Sequence, residues 1–259
     1  MVVYTKFGHD EVKKVFIDVE PDIIPHGTNN KDFYKLDTPK REIKAKLYPN
    51  KEDFLDSFIV LSAQRNQPRK RVDLTISGFS LFAKDKPENI KLYLHMGLKD
   101  VGWDIQKLAI RYGIEHRLIV TGRVLNIQQV SEEKLNQIYN GTDVGLNTGI
   151  GEGWGLVNSE HASTGAPQVV PDHSACKELY HDCGILIPTS YTQINNDTLT
   201  ESRIVTPEDV AQSLEKIYSD KDLYNELSEK SLKKFTDEKL SWKYIVKNYW
   251  IPLFKDTFK

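Results

Sequence analysis

The chain has 259 residues, long for one ordinary domain and short for two, a length that a helix-flanked α/β sheet uses well. It is 39% hydrophobic and 28% charged, which excludes a disordered chain, and 35 Lys and Arg against 37 Asp and Glu leave a net charge of −2. That balance calls for neither nucleic acid nor an anionic membrane surface as a partner.

After an N-terminal segment ending in "DIIPHGTNN", apolar runs and amphipathic stretches alternate. "FIVLSAQ" (58–64) predicts a buried strand, followed by a helix over 71–85. "IKLYLHMG" (90–97) and "RLIVTG" (117–122) predict two more strands, with a helix over 103–113 between them. "SEEKLNQIYN" (131–140) has Ser131 as its N-cap and acids in its first turn. Short strands are expected at 142–148, 166–171 and 184–188, then an exposed polar loop at 189–205. Thr206 and Pro207 start a helix, a further helix follows, and the last runs over 241–255. Strands alternating with helices imply βαβ units and a parallel sheet whose ligands bind beyond the carboxyl ends of the strands.

"GIGEGWGLVNSE" falls at such an end. Its glycines occupy alternate positions from Gly149 to Gly155, with Glu152 among them and Glu160 further on. A helix starting near Leu156 would turn free N–H groups toward a phosphate, and the carboxylates suit ligand hydroxyls. The same spacing equally describes a glycine-rich βα turn with one capping and one solvent-facing acid. No dinucleotide fingerprint or P-loop lysine can be read here, which removes the nicotinamide-dependent oxidoreductases. "SAQRNQPRKRVD" places Arg65, Arg69, Lys70 and Arg71 at the same sheet edge, where cations could hold a diphosphate; a solvated basic loop has the same composition.

Together these segments, with "IIPHGTN" and the turn Thr164-Gly165-Ala166-Pro167, resemble the C-terminal, donor-binding half of family-four glycosyltransferases, the "glycosyl transferases group 1" proteins of GT-B fold. The resemblance covers nearly the whole chain. It implies a Rossmann-like parallel sheet flanked by helices, one half of a GT-B fold, with C-terminal helices. It also implies a retaining, metal-independent transfer of sugar from a nucleotide-diphospho-sugar, UDP- or GDP-linked, with no further cofactor. Carried over by position, Arg65 and Lys70 correspond to the diphosphate-binding pair and Glu152 to the acid beside the sugar. Glu160 corresponds to the acid on the ribose. Gly153, Trp154, Gly155, Leu156 and Val157 would offer backbone amides, and Arg123 and Val124 would lie near the base. The departures are Gln64 and Arg71 where glycine is usual, Trp154 for phenylalanine, and His161 for alanine.

The family's N-terminal acceptor domain has no counterpart here. Residues 1–30 are expected as a linker-like lead-in, 31–240 as the nucleotide-sugar domain, and 241–259 as a helix packing on the missing domain or a partner. The acceptor, whether a sugar, a lipid-linked glycan or a protein, is unspecified, and the chain alone should be weakly active or inactive. The competing expectation is a non-catalytic nucleotide-sugar-binding or partner module. On the last helix Trp242, Ile245, Val246, Tyr249 and Leu253 share one face, which if exposed would drive dimerisation.

His173, Cys176, His181 and Cys183 match no zinc-module spacing, so no metal is expected. Asp220-Lys-Asp222 and Glu178 are expected at helix starts, and His26 in a turn. Two cysteines cannot build a disulfide framework, no apolar run reaches membrane-span length, and no signal peptide is present, so a cytoplasmic location is expected.

Overall fold

In the computed structural model, which describes residues 1–121, 130–195 and 199–257, the lead-in segment carries secondary structure of its own. Strands β1 (Val2–Val3) and β2 (Asp22–Ile23) pair in parallel around helix α1 (Lys6–Val15). None of the α1 residues is buried. The helix start is held by the buried Thr5 hydroxyl, which accepts from Gly8 N–H (3.1 Å), and by the carboxylate of Glu178, which accepts from the N–H groups of Lys6 (2.9 Å) and Phe7 (2.8 Å). Glu178, expected at the start of its own helix, lies instead in the last turn of the helix over Ser174–Tyr180, and its carboxylate serves the start of α1, far away in sequence. Helix α2 (Lys40–Leu47) leads into the main sheet.

The sheet region alternates as the sequence pattern requires. Strand β3 (Phe58–Ser62) is followed by α3 (Val72–Ala83), β4 (Ile90–Leu94), α4 (Ile105–Tyr112) and β5 (Leu118–Val120). Then come α5 (Glu132–Gly141), β6 (Val144–Leu146), α6 (Leu156–Ser163), β7 (Gln168–Pro171), α7 (Ser174–Tyr180) and β8 (Gly184–Ile187). These six strands form one sheet in the order β5-β4-β3-β6-β7-β8, every pairing parallel. Both faces are covered, which is why β3 and β4 read as near-continuous apolar runs. Val60, Leu92 and Leu94 face a core shared with Phe79 of α3, Ile105 of α4 and residues further along the chain. Ile59, Leu61 and Tyr93 face the opposite core with Ile138 and Tyr139 of α5. Asp143, just before β6, ties the second face to α2 through Lys40 (2.8 Å) and Lys44 (3.1 Å), and accepts from Ile59 N–H (2.8 Å).

Beyond β8 the expected polar loop is instead an antiparallel hairpin, β9 (Tyr191–Ile194) with β10 (Glu201–Ile204). All four β9 residues are exposed, so no one-sided apolar pattern marks it. Helix α8 (Pro207–Ser219) starts at a Thr206 cap that accepts from Asp209 N–H (3.1 Å). Helix α9 (Lys221–Phe235) starts at Asp220, which accepts from Leu223 N–H (2.9 Å). The last helix runs as α10 (Trp242–Ile245), a π segment (Val246–Trp250) and α11 (Ile251–Thr257). Pro252 lacks the N–H that would close the turn before it, where the wider π turn appears. Of its expected apolar face only Ile245 is fully buried; Trp242, Val246 and Tyr249 remain 38–43% exposed. Among the described residues no helix is long and apolar enough to cross a membrane.

Candidate functional site

The strand order reverses between β3 and β6, so the loops leaving those two strands diverge and open a crevice at the carboxyl edge of the sheet. The basic loop follows β3 and the glycine loop follows β6. They are stitched together by Ile150 N–H to the Arg69 carbonyl (2.9 Å) and by the Arg69 guanidinium to the Gly151 carbonyl (3.2 Å). A cavity of about 370 Å³ lies between them, walled by Gln64, Arg65, Arg69, Lys70, Glu152, Trp154, Gly155, Leu156, Val157 and Asn158, and by Tyr4 and His26 from the lead-in segment. Gly155, in the left-handed conformation (φ 83°), caps α6 without a side chain, so the first N–H groups of that helix face the cavity unobstructed. A Cβ on Gly151 would meet no atom within 4 Å, so packing does not demand a glycine there.

Lys70 sits in the short turn Pro68–Lys70 with its ammonium on Glu152 Oε1, and both side chains are close to 90% buried. Burial pulls the Lys70 pKa down, and the Glu152 charge opposes that pull. Arg69 approaches the other Glu152 oxygen at 3.6 Å. Arg65 is turned outward, its guanidinium paired bidentately with Asp100 at 2.7 and 3.2 Å. Arg71, where the resemblance expects glycine, adopts the left-handed conformation (φ 47°) that glycine would supply, and grips Asp73 at 2.9 and 3.0 Å.

Glu160 stands apart from the cavity wall on α6, where Oε2 accepts from the Tyr139 hydroxyl (2.9 Å). Burial raises its pKa to about 7. Gly153, with Tyr4 against it, continues the loop between Glu152 and Trp154. Arg123 and Val124 lie outside the described residues.

Several residues of the site carry no sequence signal. Asn147 and Asn158 are fully buried amides beside Glu152, one ending a strand and one inside a helix. Ser174 takes a left-handed conformation (φ 51°), and its hydroxyl accepts from Glu152 N–H at 3.3 Å. His26 bonds the Gly27 carbonyl (3.0 Å) as a turn residue would, yet its ring also packs against Tyr4, Trp154 and Trp242 at the cavity rim. A larger, more open depression of about 800 Å³ lies past α7, but Lys177 and Asp172 there pair with each other and Glu178 is engaged with α1. Cys176 and Cys183 are buried thiols; burial pushes Cys183 up to about 12.

This fold and crevice define one half of a GT-B glycosyltransferase, a C-terminal-like domain. The sequence profile of the glycosyl transferases group 1 family matches residues 57–220, and the chain belongs to that family. It is 26% identical over 154 residues to mannosylfructose-phosphate synthase of Agrobacterium fabrum, spanning 58% of this chain and 32% of that one. Sucrose-phosphate synthase from Thermosynechococcus elongatus superposes with a TM-score of 0.76 at 18% identity, over 99% of this chain and 58% of that one. HepE from Anabaena, solved with UDP and glucose, superposes with a TM-score of 0.72 at 14% identity, over 98% of this chain and 62% of that one. At such identities the solved structures establish the fold. The chain spans about a third of the curated relative's length.

Proposed function

We propose that this chain is the donor-binding domain of a retaining glycosyltransferase, one that transfers a sugar from a UDP- or GDP-linked donor to an acceptor bound elsewhere. The carrying observation is the convergence of Arg69, Lys70, Glu152 and the open N-terminus of α6 on one cavity at the sheet's switch point. The helix N-terminus and the cations suit a diphosphate, and a carboxylate among them suits sugar hydroxyls. In the reaction Lys70, and Arg65 once released from Asp100, would stabilise the charge growing on the departing diphosphate. Glu152 would orient the sugar, and Glu160 would accept from the ribose hydroxyls. A domain that supplies only the donor half should turn over poorly, and its last helix should pack on an N-terminal domain or a second copy.

The test is thermal stability against UDP, GDP and ADP, free and sugar-linked. A ligand at about a hundred times its dissociation constant stabilises by roughly 2.7 kcal/mol. Stabilisation by one nucleotide, lost in Lys70→Ala and Glu160→Ala, supports the reading. No response to any of them removes it. Tight binding with neither hydrolysis nor transfer, even beside an added acceptor domain, would favour a non-catalytic binding module.

A further inference from the structure

Behind Glu152 lies a row of buried amides. Asn147, Asn158 and Gln168 are 0%, 4% and 0% exposed, and uncharged polar groups so placed are costly unless every donor and acceptor is met. Asn147 Oδ1 accepts from Gly149 N–H (2.8 Å), which fixes the amide's orientation, since the reverse would set N–H against N–H. Its Nδ2 therefore donates twice, to Asn158 Oδ1 (3.0 Å) and to Glu152 Oε1 (3.3 Å). Asn158 Nδ2 donates to Gln168 Oε1 (3.0 Å), and Gln168 Nε2 to the Ala166 carbonyl (2.9 Å). A Cβ on Gly145 would lie 2.1 Å from Gln168 Oε1, so that residue is small to admit the row. Aliphatic side chains would fill this space without any desolvation cost. The row instead joins two backbone anchors and delivers one N–H to a carboxylate.

The other partners of Glu152 are cations on longer, more flexible stems. An arriving diphosphate competes for both Lys70 and Arg69. Asn147 is the contact that stays, because its amide is locked at the opposite end. Resting on the donor-site reading above, we infer that Asn147, braced by Asn158 and Gln168, is the positioning residue that holds the Glu152 carboxylate in place when the diphosphate draws the cations away. Oε1 then remains tethered, and Oε2 is left to accept from one hydroxyl of the donor sugar. Sugar discrimination therefore depends on Asn147 and Gln168, which lie behind the cavity wall, as well as on groups that line it.

The experiment is calorimetric titration of the wild-type chain, Asn147→Leu and Asn158→Leu with UDP, GDP and ADP, and with UDP-glucose, GDP-mannose and ADP-glucose. The readout is the ratio of sugar-linked to free nucleotide affinity. Asn147→Leu should lower that ratio about ten-fold, the scale of a hydrogen bond to a charged group, while the free nucleotide binds as before. Asn158→Leu removes the brace without touching Glu152 and should lower the same ratio by less. A ratio unchanged in both variants overturns the inference. So do free and linked affinities that fall together with the melting temperature, the mark of a packing role, and so does a wild-type ratio of one. If no nucleotide binds the wild-type chain at all, the donor-site reading itself fails.

Discussion

Glu160 shows how burial alone gives a residue a pH-dependent role. Its pKa is raised from 4.5 to about 7, mainly by burial and partly offset by the Tyr139 hydroxyl. Between those values the folded chain binds more protons than the unfolded one, so this group's contribution is full below pH 4.5 and is lost as pH rises through 7. Glutamine copies the protonated acid. Glu160→Gln should therefore be more stable than the parent at pH 8 by about 1–3 kcal/mol, and equal to it near pH 4.5. Denaturant melts at the two pH values check this, and equal differences at both would contradict it. The position of Glu160 followed from the motif; its protonation did not, because it depends on the burial that the folded chain imposes against the opposing Tyr139 hydroxyl. Asn147 was likewise silent in the sequence, where it falls inside the strand expected over 142–148 and nothing marks a carboxylate as its partner.

At the scale of elements, legibility followed periodicity. The six parallel strands could be placed because burial on both faces made them apolar runs bounded by turns. The β9–β10 hairpin could not, being exposed and polar, and neither could α1, which has no buried face and whose start is held in part by a distant residue. That contact can be probed directly. Glu178→Ala removes the acceptor for two N–H groups at the first turn of α1, with an expected cost of about 1–2 kcal/mol concentrated on that helix. Limited proteolysis should then cleave within residues 1–20 much faster, while the main sheet melts nearly as before. Unchanged cleavage would show that the Thr5 cap and the β1–β2 pairing hold the helix without Glu178.

For the whole molecule, the sequence pointed to one apolar stripe on the last helix, and the fold buries only part of it. Val246 and Ile251 are each 43% exposed and Phe254 is 50% exposed, alongside Trp242 and Tyr249. Surface of this kind seeks a cover. The chain should associate as its concentration rises, and the double variant Val246→Lys, Ile251→Lys should sediment as a monomer with an unchanged melting temperature. Association that persists in the double variant would place the contact elsewhere.

Thr28 N–H bonds the Leu240 carbonyl (2.8 Å), and the ring of Trp242 lies where a Cβ on Gly27 would stand, 2.4 Å away. Tyr4 and His26, which wall the cavity, lie on the near side of that junction. During synthesis the ribosome delivers the sheet and both of its loops well before Trp242 emerges. A nascent chain thus carries Tyr4 and His26 from the start, yet the ring that packs on His26 from behind arrives only with the final helix, so that side of the crevice is braced last.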